Sequence, residues 1–155
     1  MLDASEKAAD HYIIHVLSHH RETKNGGYLV DDYGYSQMPG IRTHMSLNHQ
    51  LLGMNFLYEL FITTQDARYK TLAEKLKKGI EDTWSSWIIK KTGDLYYCYL
   101  LSGRYDGQDY PLLTLNDLRY SQKLFKTVYN SENAYFTKLI NAKETFLKKN
   151  NLPLY

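Results

Sequence analysis

A chain of 155 residues, 43% of them hydrophobic and 23% charged, with only 3 Pro, carries enough apolar surface to offset the entropy of ordering, which excludes an extended disordered chain. Lys and Arg total 19 against 17 for Asp and Glu, and a net charge of +2 makes no case for nucleic acid as a partner. The single Cys98 cannot close an internal disulfide, no Cys/His cluster suggests zinc or any other cofactor, and no stretch reaches the roughly 20 apolar residues of a membrane span.

The first element predicted is a one-faced helix over 3–20, with Ala9, Tyr12, Ile13, Val16, Leu17 and His20 on one side and Asp3, Glu6, Lys7 and Asp10 opposite. It stands where a signal peptide would. The expectation is a cytoplasmic protein if the chain is complete, and an extracytoplasmic one if it is a piece of a secreted parent. His15 and His19 share a helix face with His20 close by, but without a His/Glu/His motif they read as a solvated helix end and not as metal ligands.

A long Tyr- and Gly-rich connection at 21–45 leads to a segment at 46–64 that is apolar around nearly its whole circumference, with Glu59 as its only charge, so it must be buried on most sides. Asp66 then caps a one-faced helix over 67–84 that aligns Tyr69, Leu72, Ala73, Leu76, Ile80 and Trp84. A second long connection, 88–113, holds the aromatic run 95–101, read as a short hairpin or extended loop. Thr114 is expected to cap a helix over about 115–129, with Asp117 returning the bond. After a turn at 130–133, the last helix, 134–149, puts Phe136, Leu139, Ile140 and Leu147 on one side and several Lys on the other.

The order outer, inner, outer, inner, outer repeats when the chain slides along itself by roughly 67 residues. Ser46, Leu47 and Asn48 fall on Thr114, Leu115 and Asn116; Ala67, Tyr69 and Leu72 fall on Ala134, Phe136 and Leu139; the Gly26 loop falls on the Gly93 loop, and Ile13 on Ile80. The fold class expected is therefore all-α: a helical-hairpin repeat forming a partial α/α toroid, with short hairpins or extended loops at one end. A plain five-helix bundle is the competing reading, but bundles prefer short connections at both ends. Long loops gathered at one end of a ring of helix pairs are where a ligand cleft belongs.

Two clusters there could carry chemistry. Arg42, His44, Asn48, His49 and Gln50 span the end of one loop and the first turn of the buried helix, where a guanidinium fork and a helix N-terminus suit an anion and an imidazole can act as base near neutrality. Tyr96, Tyr97, Tyr99, Tyr105 and Tyr110, with Arg104, Asp106, Gln108 and Asp109, offer flat apolar faces and hydroxyls suited to sugar rings. About half of these tyrosines are expected to serve only as cross-strand pairs.

Over residues 42–147 the motifs resemble the C-terminal domain of the D-glucuronyl C5-epimerases, α/α-toroid enzymes acting on heparan-type polysaccharides. Leu47 and Asn48 followed by Leu57, Tyr58, Glu59 and Leu60 are similar to the family's Leu-Asn helix start and its later Leu-Tyr-Asp-Leu. Gly93, Leu95 and Tyr96 resemble its Gly-x-Ile-Tyr at the cleft edge, and Asp109, Tyr110, Asn116 and Leu118 resemble a second cleft segment. Tyr97, Cys98 and Tyr99 replace the family's Asp-Leu-Arg-His, and 111–114 replace its two His.

The resemblance implies an acidic polysaccharide or oligosaccharide as partner and proton abstraction and return at C5 of a hexuronate. Tyr96 and Tyr110 become the catalytic pair, with His44 or His49 as auxiliary base. Arg42 or Arg104 becomes the cation on the uronate carboxylate, and Asn48, Asp109 and Asn116 complete the substrate contacts. A polysaccharide lyase shares the first step, and a non-catalytic carbohydrate-binding helical repeat keeps the fold alone. Just over two repeats are too few to close a ring, so the whole chain reads as one partial domain, expected to self-associate or to be the C-terminal part of a longer protein.

Overall fold

The computed structural model describes residues 2–34 and 40–155, and Tyr35 of the first tyrosine-rich loop lies outside them. Helix α1 (Leu2–Ser18) is followed by strands β1 (His20–Glu22), β2 (Tyr28–Val30) and β3 (Met45–Ser46). Next come helices α2 (Leu47–Thr64) and α3 (Ala67–Thr83), a 3-10 turn at Trp84–Ser86, strands β4 (Tyr96–Tyr99) and β5 (Tyr105–Gln108), and helices α4 (Leu113–Tyr129) and α5 (Ala134–Lys149). The architecture is a helical-hairpin repeat, part of an α/α toroid. No helix among the described residues is long and apolar enough to cross a membrane.

The two tight connections are built alike. Gln65 (φ 61°) ends α2 in the left-handed conformation and Asp66 caps α3 by accepting from Arg68 N; Asn130 (φ 56°) ends α4, and Asn133 caps α5 by accepting from Tyr135 N and Phe136 N. The two long connections also match, each turning at a left-handed glycine, Gly26 (φ 81°) and Gly93 (φ 82°). Burial fixes the period at 67: Leu51 and Leu118, Leu57 and Leu124, Tyr58 and Phe125, Tyr69 and Phe136, Leu72 and Leu139, and Ile80 and Leu147 are all buried pairs. In the same register Leu47 equates with Thr114, one residue earlier than the sequence match to Leu115.

Inner helices α2 and α4 pack side by side, α3 and α5 flank them, and α1 lies against α2. Tyr58 meets Phe125 edge to face at 5.6 Å, and Phe125 meets Phe136 in the same way at 4.9 Å, so equivalent aromatic positions interlock across the repeat. Tyr12 of α1 packs where α2 presents Gly53, which has no Cβ to obstruct it.

Three expectations are corrected. The first helix stops at Ser18: His20 enters β1, where its Nδ1 lies 2.8 Å from Val16 O and its ring stacks on Tyr28. Thr114 does not cap α4, because the helix begins at Leu113 and the Thr114 hydroxyl is taken by Asp109. Lys143 is not on the solvated side of α5 but is fully buried.

The long connections carry the sheets at one end. β1 pairs antiparallel with β2, and β3–β4–β5 form a second antiparallel sheet in which Met45 faces Tyr99 and Ser46 faces Cys98. The β3–β4 pairing joins the first long connection to the second. It thereby brings His44, just before β3, beside the tyrosines of β4.

Candidate functional site

The centre of the site is Asp32, at the end of the first long connection. Its side chain is 0% exposed; Oδ1 accepts from Ser46 N at 2.6 Å, and Oδ2 lies 3.2 Å from His44 Nε2 and 3.0 Å from His49 Nδ1. Two imidazoles, 32% and 39% exposed, therefore share one oxygen of a buried carboxylate. Both are close polar contacts: Asp32 Oδ2 and His44 Nε2 are without a hydrogen-bond partner among the described residues.

Aromatic rings frame this cluster. Tyr33 stands edge-on to both imidazoles at 6.3 and 6.1 Å, Tyr97 is 5.8 Å from His44, and Tyr110 meets Tyr97 edge to face at 5.7 Å. Burial first, then the charge of Asp32 and neighbouring Tyr110 and Tyr33, holds the Tyr97 phenol above its ordinary value. Tyr12 is raised still further by burial and by Asp32. Both phenols are protonated donors at neutral pH.

Beside Asp32 and His49 opens a cavity of about 560 Å³, whose floor runs down α2 through Gly53 and Phe56 to Glu59, with Asp117 and Tyr120 on its α4 side. Burial, then the nearby charge of Asp109, pushes the Asp117 carboxyl up to about 6. Tyr120 donates to Glu59, and that bond raises its phenol to about 12. No Lys or Arg is among the described residues that line the cavity.

His44, His49 and Tyr110 are brought together. Asn48 is buried in the first turn of α2, its Oδ1 without a hydrogen-bond donor among the described residues. Tyr96 is not part of the group. Strand residues alternate faces, so the side chain that meets Tyr110 is Tyr97, while Tyr96 lines a separate hollow with Ile88, Lys90 and Lys91. Arg42 forms a two-pronged pair with Asp31 through Nε and Nη2, an arrangement that occupies its fork and raises its pKa. Arg104 is exposed in the turn between β4 and β5, and Asn116 is exposed in the first turn of α4.

Asp109 is withdrawn from solvent. Its Oδ1 accepts from Thr114 at 2.6 Å and its Oδ2 lies 3.0 Å from Lys143 Nζ, so it serves an internal ion cluster and is not exposed to a substrate. His15 and His19 are not a solvated helix end. The rings stack at 5.0 Å, and His19 is buried. Among the described residues no group of three His, Cys, Asp or Glu could hold a metal ion.

The residue missed in the sequence is Asp32. Asp31 and Asp32 are the only acids between Glu22 and Glu59, directly ahead of the Arg/His cluster, and that isolation was the available signal.

No protein-family model matches this chain, and no curated protein matches its sequence. Among solved structures its fold is similar to that of a GH76 alpha-mannanase from Bacteroides thetaiotaomicron, with a TM-score of 0.54 and 13% identity. The likeness covers 81% of this chain and 32% of the mannanase, so this chain spans about a third of that protein's length. It is a likeness of fold, and the fold is the α/α toroid.

Proposed function

We propose that this chain is a carbohydrate-active module that holds a sugar ring against Tyr97 and Tyr110 and moves a proton through the His44–Asp32–His49 cluster. The observation that carries the reading is the shared carboxylate: one buried Asp32 oxygen orients two partly exposed imidazoles beside an aromatic pair. The reaction we assign is proton abstraction and return at C5 of a hexuronate.

One imidazole, neutral and fixed by Asp32, takes the C5 proton as base. The other, protonated and paired with the same carboxylate, is the cation that faces the uronate carboxylate as negative charge builds at C5. It takes the part expected of Arg42, whose fork is held by Asp31. The Tyr97 or Tyr110 hydroxyl returns a proton from the opposite face. The base is left protonated and the phenol ionised, and exchange with water resets both.

A second reading has its own support. The cavity beside His49 is lined by Asp32, Glu59 and Asp117, with the Asp117 carboxyl raised to about 6. A carboxyl raised toward neutrality beside further carboxyl groups suits glycosidic-bond hydrolysis, and an acid-lined cavity suits a neutral glycan. The fold likeness to an alpha-mannanase points the same way.

Incubation of the chain in D₂O with a glucuronate polymer and, separately, with an α-mannan distinguishes the readings. Deuterium at C5, lost in His44→Gln/His49→Gln, is the expected result. Unsaturated uronate product would assign a lyase instead. New reducing ends from mannan alone would establish the hydrolytic reading, and no product with either polymer, together with no saturable binding, would remove carbohydrate from the account.

A further inference from the structure

Lys143 is an ammonium with no exposed surface, on a helix whose other lysines are solvated. Its Nζ lies 2.7 Å from Asp94 Oδ1 and 3.0 Å from Asp109 Oδ2. Asp94 stands two residues before the β4–β5 hairpin and Asp109 directly follows it. One side chain from α5 thus holds both ends of the hairpin that carries Tyr97 and leads into Tyr110.

The remaining bonds close the same junction. Asp94 Oδ1 also accepts from Leu95 N at 2.8 Å and its Oδ2 from Gln108 Nε2 at 3.0 Å; Asp109 N donates to Leu95 O at 3.1 Å, and Thr114 holds Asp109 Oδ1. Packing alone does not call for a charge here. The equivalent residue 67 positions earlier is Leu76, also fully buried. A buried cation between two anions is expensive to desolvate, and such groups are retained where they fix one geometry among several.

We propose that Lys143 is a positioning residue of the glycan site, setting the Tyr97 ring against the Tyr110 ring by clamping the two ends of the hairpin between them. The word glycan rests on the function proposed above; the ring contact does not. Lys143 acts through Asp94 and Asp109 and does not touch the sugar.

The test is made on the unliganded chain by ring-to-ring NOEs between Tyr97 and Tyr110, with Leu147→Ala as a control that destabilises α5 without touching the clamp. The double variant Lys143→Met/Asp109→Asn keeps the cluster's net charge, since one cation and one anion are removed together. Its expected result is a folded protein in which the Tyr97–Tyr110 NOE is lost, while Leu147→Ala retains it. If the double variant does not fold, Asp109→Ala alone decides the matter: Lys143 remains paired with Asp94, but the Tyr110 end loses its side-chain anchor, and the same NOE is lost.

A folded variant with the NOE intact, or its equal loss in Leu147→Ala, overturns the proposal. With the glucuronate hexasaccharide or mannohexaose that the wild type binds, the same variant shows a Kd raised about tenfold, the loss of one aromatic contact. Failure of the wild type to bind either sugar sinks the carbohydrate reading and leaves the ring measurement standing.

Discussion

The two long connections occupy equivalent places in the repeat and are secured to the helices by opposite means. In the first, Gln50 of α2 accepts from Val30 N at 3.0 Å and donates to Tyr28 O and Leu76 O at 2.6 and 3.1 Å. Gly27 and Gly79 let this hairpin lie directly on α3, since a Cβ on either would enter the other segment's backbone. In the second, the residue at the position of Gln50 is Asp117 and that at the position of Leu76 is Lys143. The pin has moved from the inner helix to the outer one, and from an amide to an ion cluster. A neutral amide satisfies backbone groups without desolvating a charge. Shifting the task to Lys143 leaves the inner position free to present a carboxylate to the cavity.

The sharpest way to break the contrast is to give the second copy the first copy's residue. Lys143→Leu leaves Asp94 and Asp109 buried without their cation, and the expected loss is about 3–5 kcal/mol in urea denaturation. A loss below about 1 kcal/mol would mean that the two anions are satisfied by Thr114, Gln108 and Leu95 alone. The matching change in the first copy is smaller. Gln50→Ala strands the Val30 N–H and takes a donor from Tyr28 O and Leu76 O, and should reduce stability by about 1–3 kcal/mol. Its effect should also be independent of pH between 4 and 8, because nothing in that pin titrates.

Sequence periodicity was enough for α2, α3 and α5, where apolar spacing, and for α3 the capping Asp66, agree with the final packing. It was enough for the repeat as well, because buried positions recur whether or not the residue is the same. It failed where tertiary bonds override a local rule: Thr114 looks like a cap until Asp109 takes its hydroxyl, and Lys143 looks like a solvent residue until two carboxylates meet it. The histidines of the candidate cluster stand out in the sequence, and its hub does not. Asp32 acquires its meaning only when β3 is in place, since Ser46 N fixes one of its oxygens and the helix that follows brings His49 to the other. The tyrosines divide by strand face. The right strand was identified, but a strand's two faces alternate, and a one-residue slip exchanges Tyr97 for Tyr96.

The smallest expected effect concerns the other half of the exchange, Asp117. Burial holds its carboxyl at about 6 against an ordinary value of 3.8, so the folded state keeps a proton that the unfolded state has released. In that window stability falls as pH rises, and above it the buried charge is a constant penalty. Asp117→Asn makes this position as neutral as Gln50. The variant should melt higher than the wild type at pH 7, by about 1 kcal/mol or 2–4 °C once the half-exposed carboxylate is discounted for solvent screening. Below about pH 3 the two should coincide, because Asp117 is then largely protonated in both folded and unfolded chains. Asp109, itself raised by burial, adds its charge to the Asp117 shift, so part of the gap is relief of repulsion between the two carboxylates. A gap that persists in full at pH 3 would place the benefit in packing, and would remove Asp117 as the raised acid that the hydrolytic reading requires.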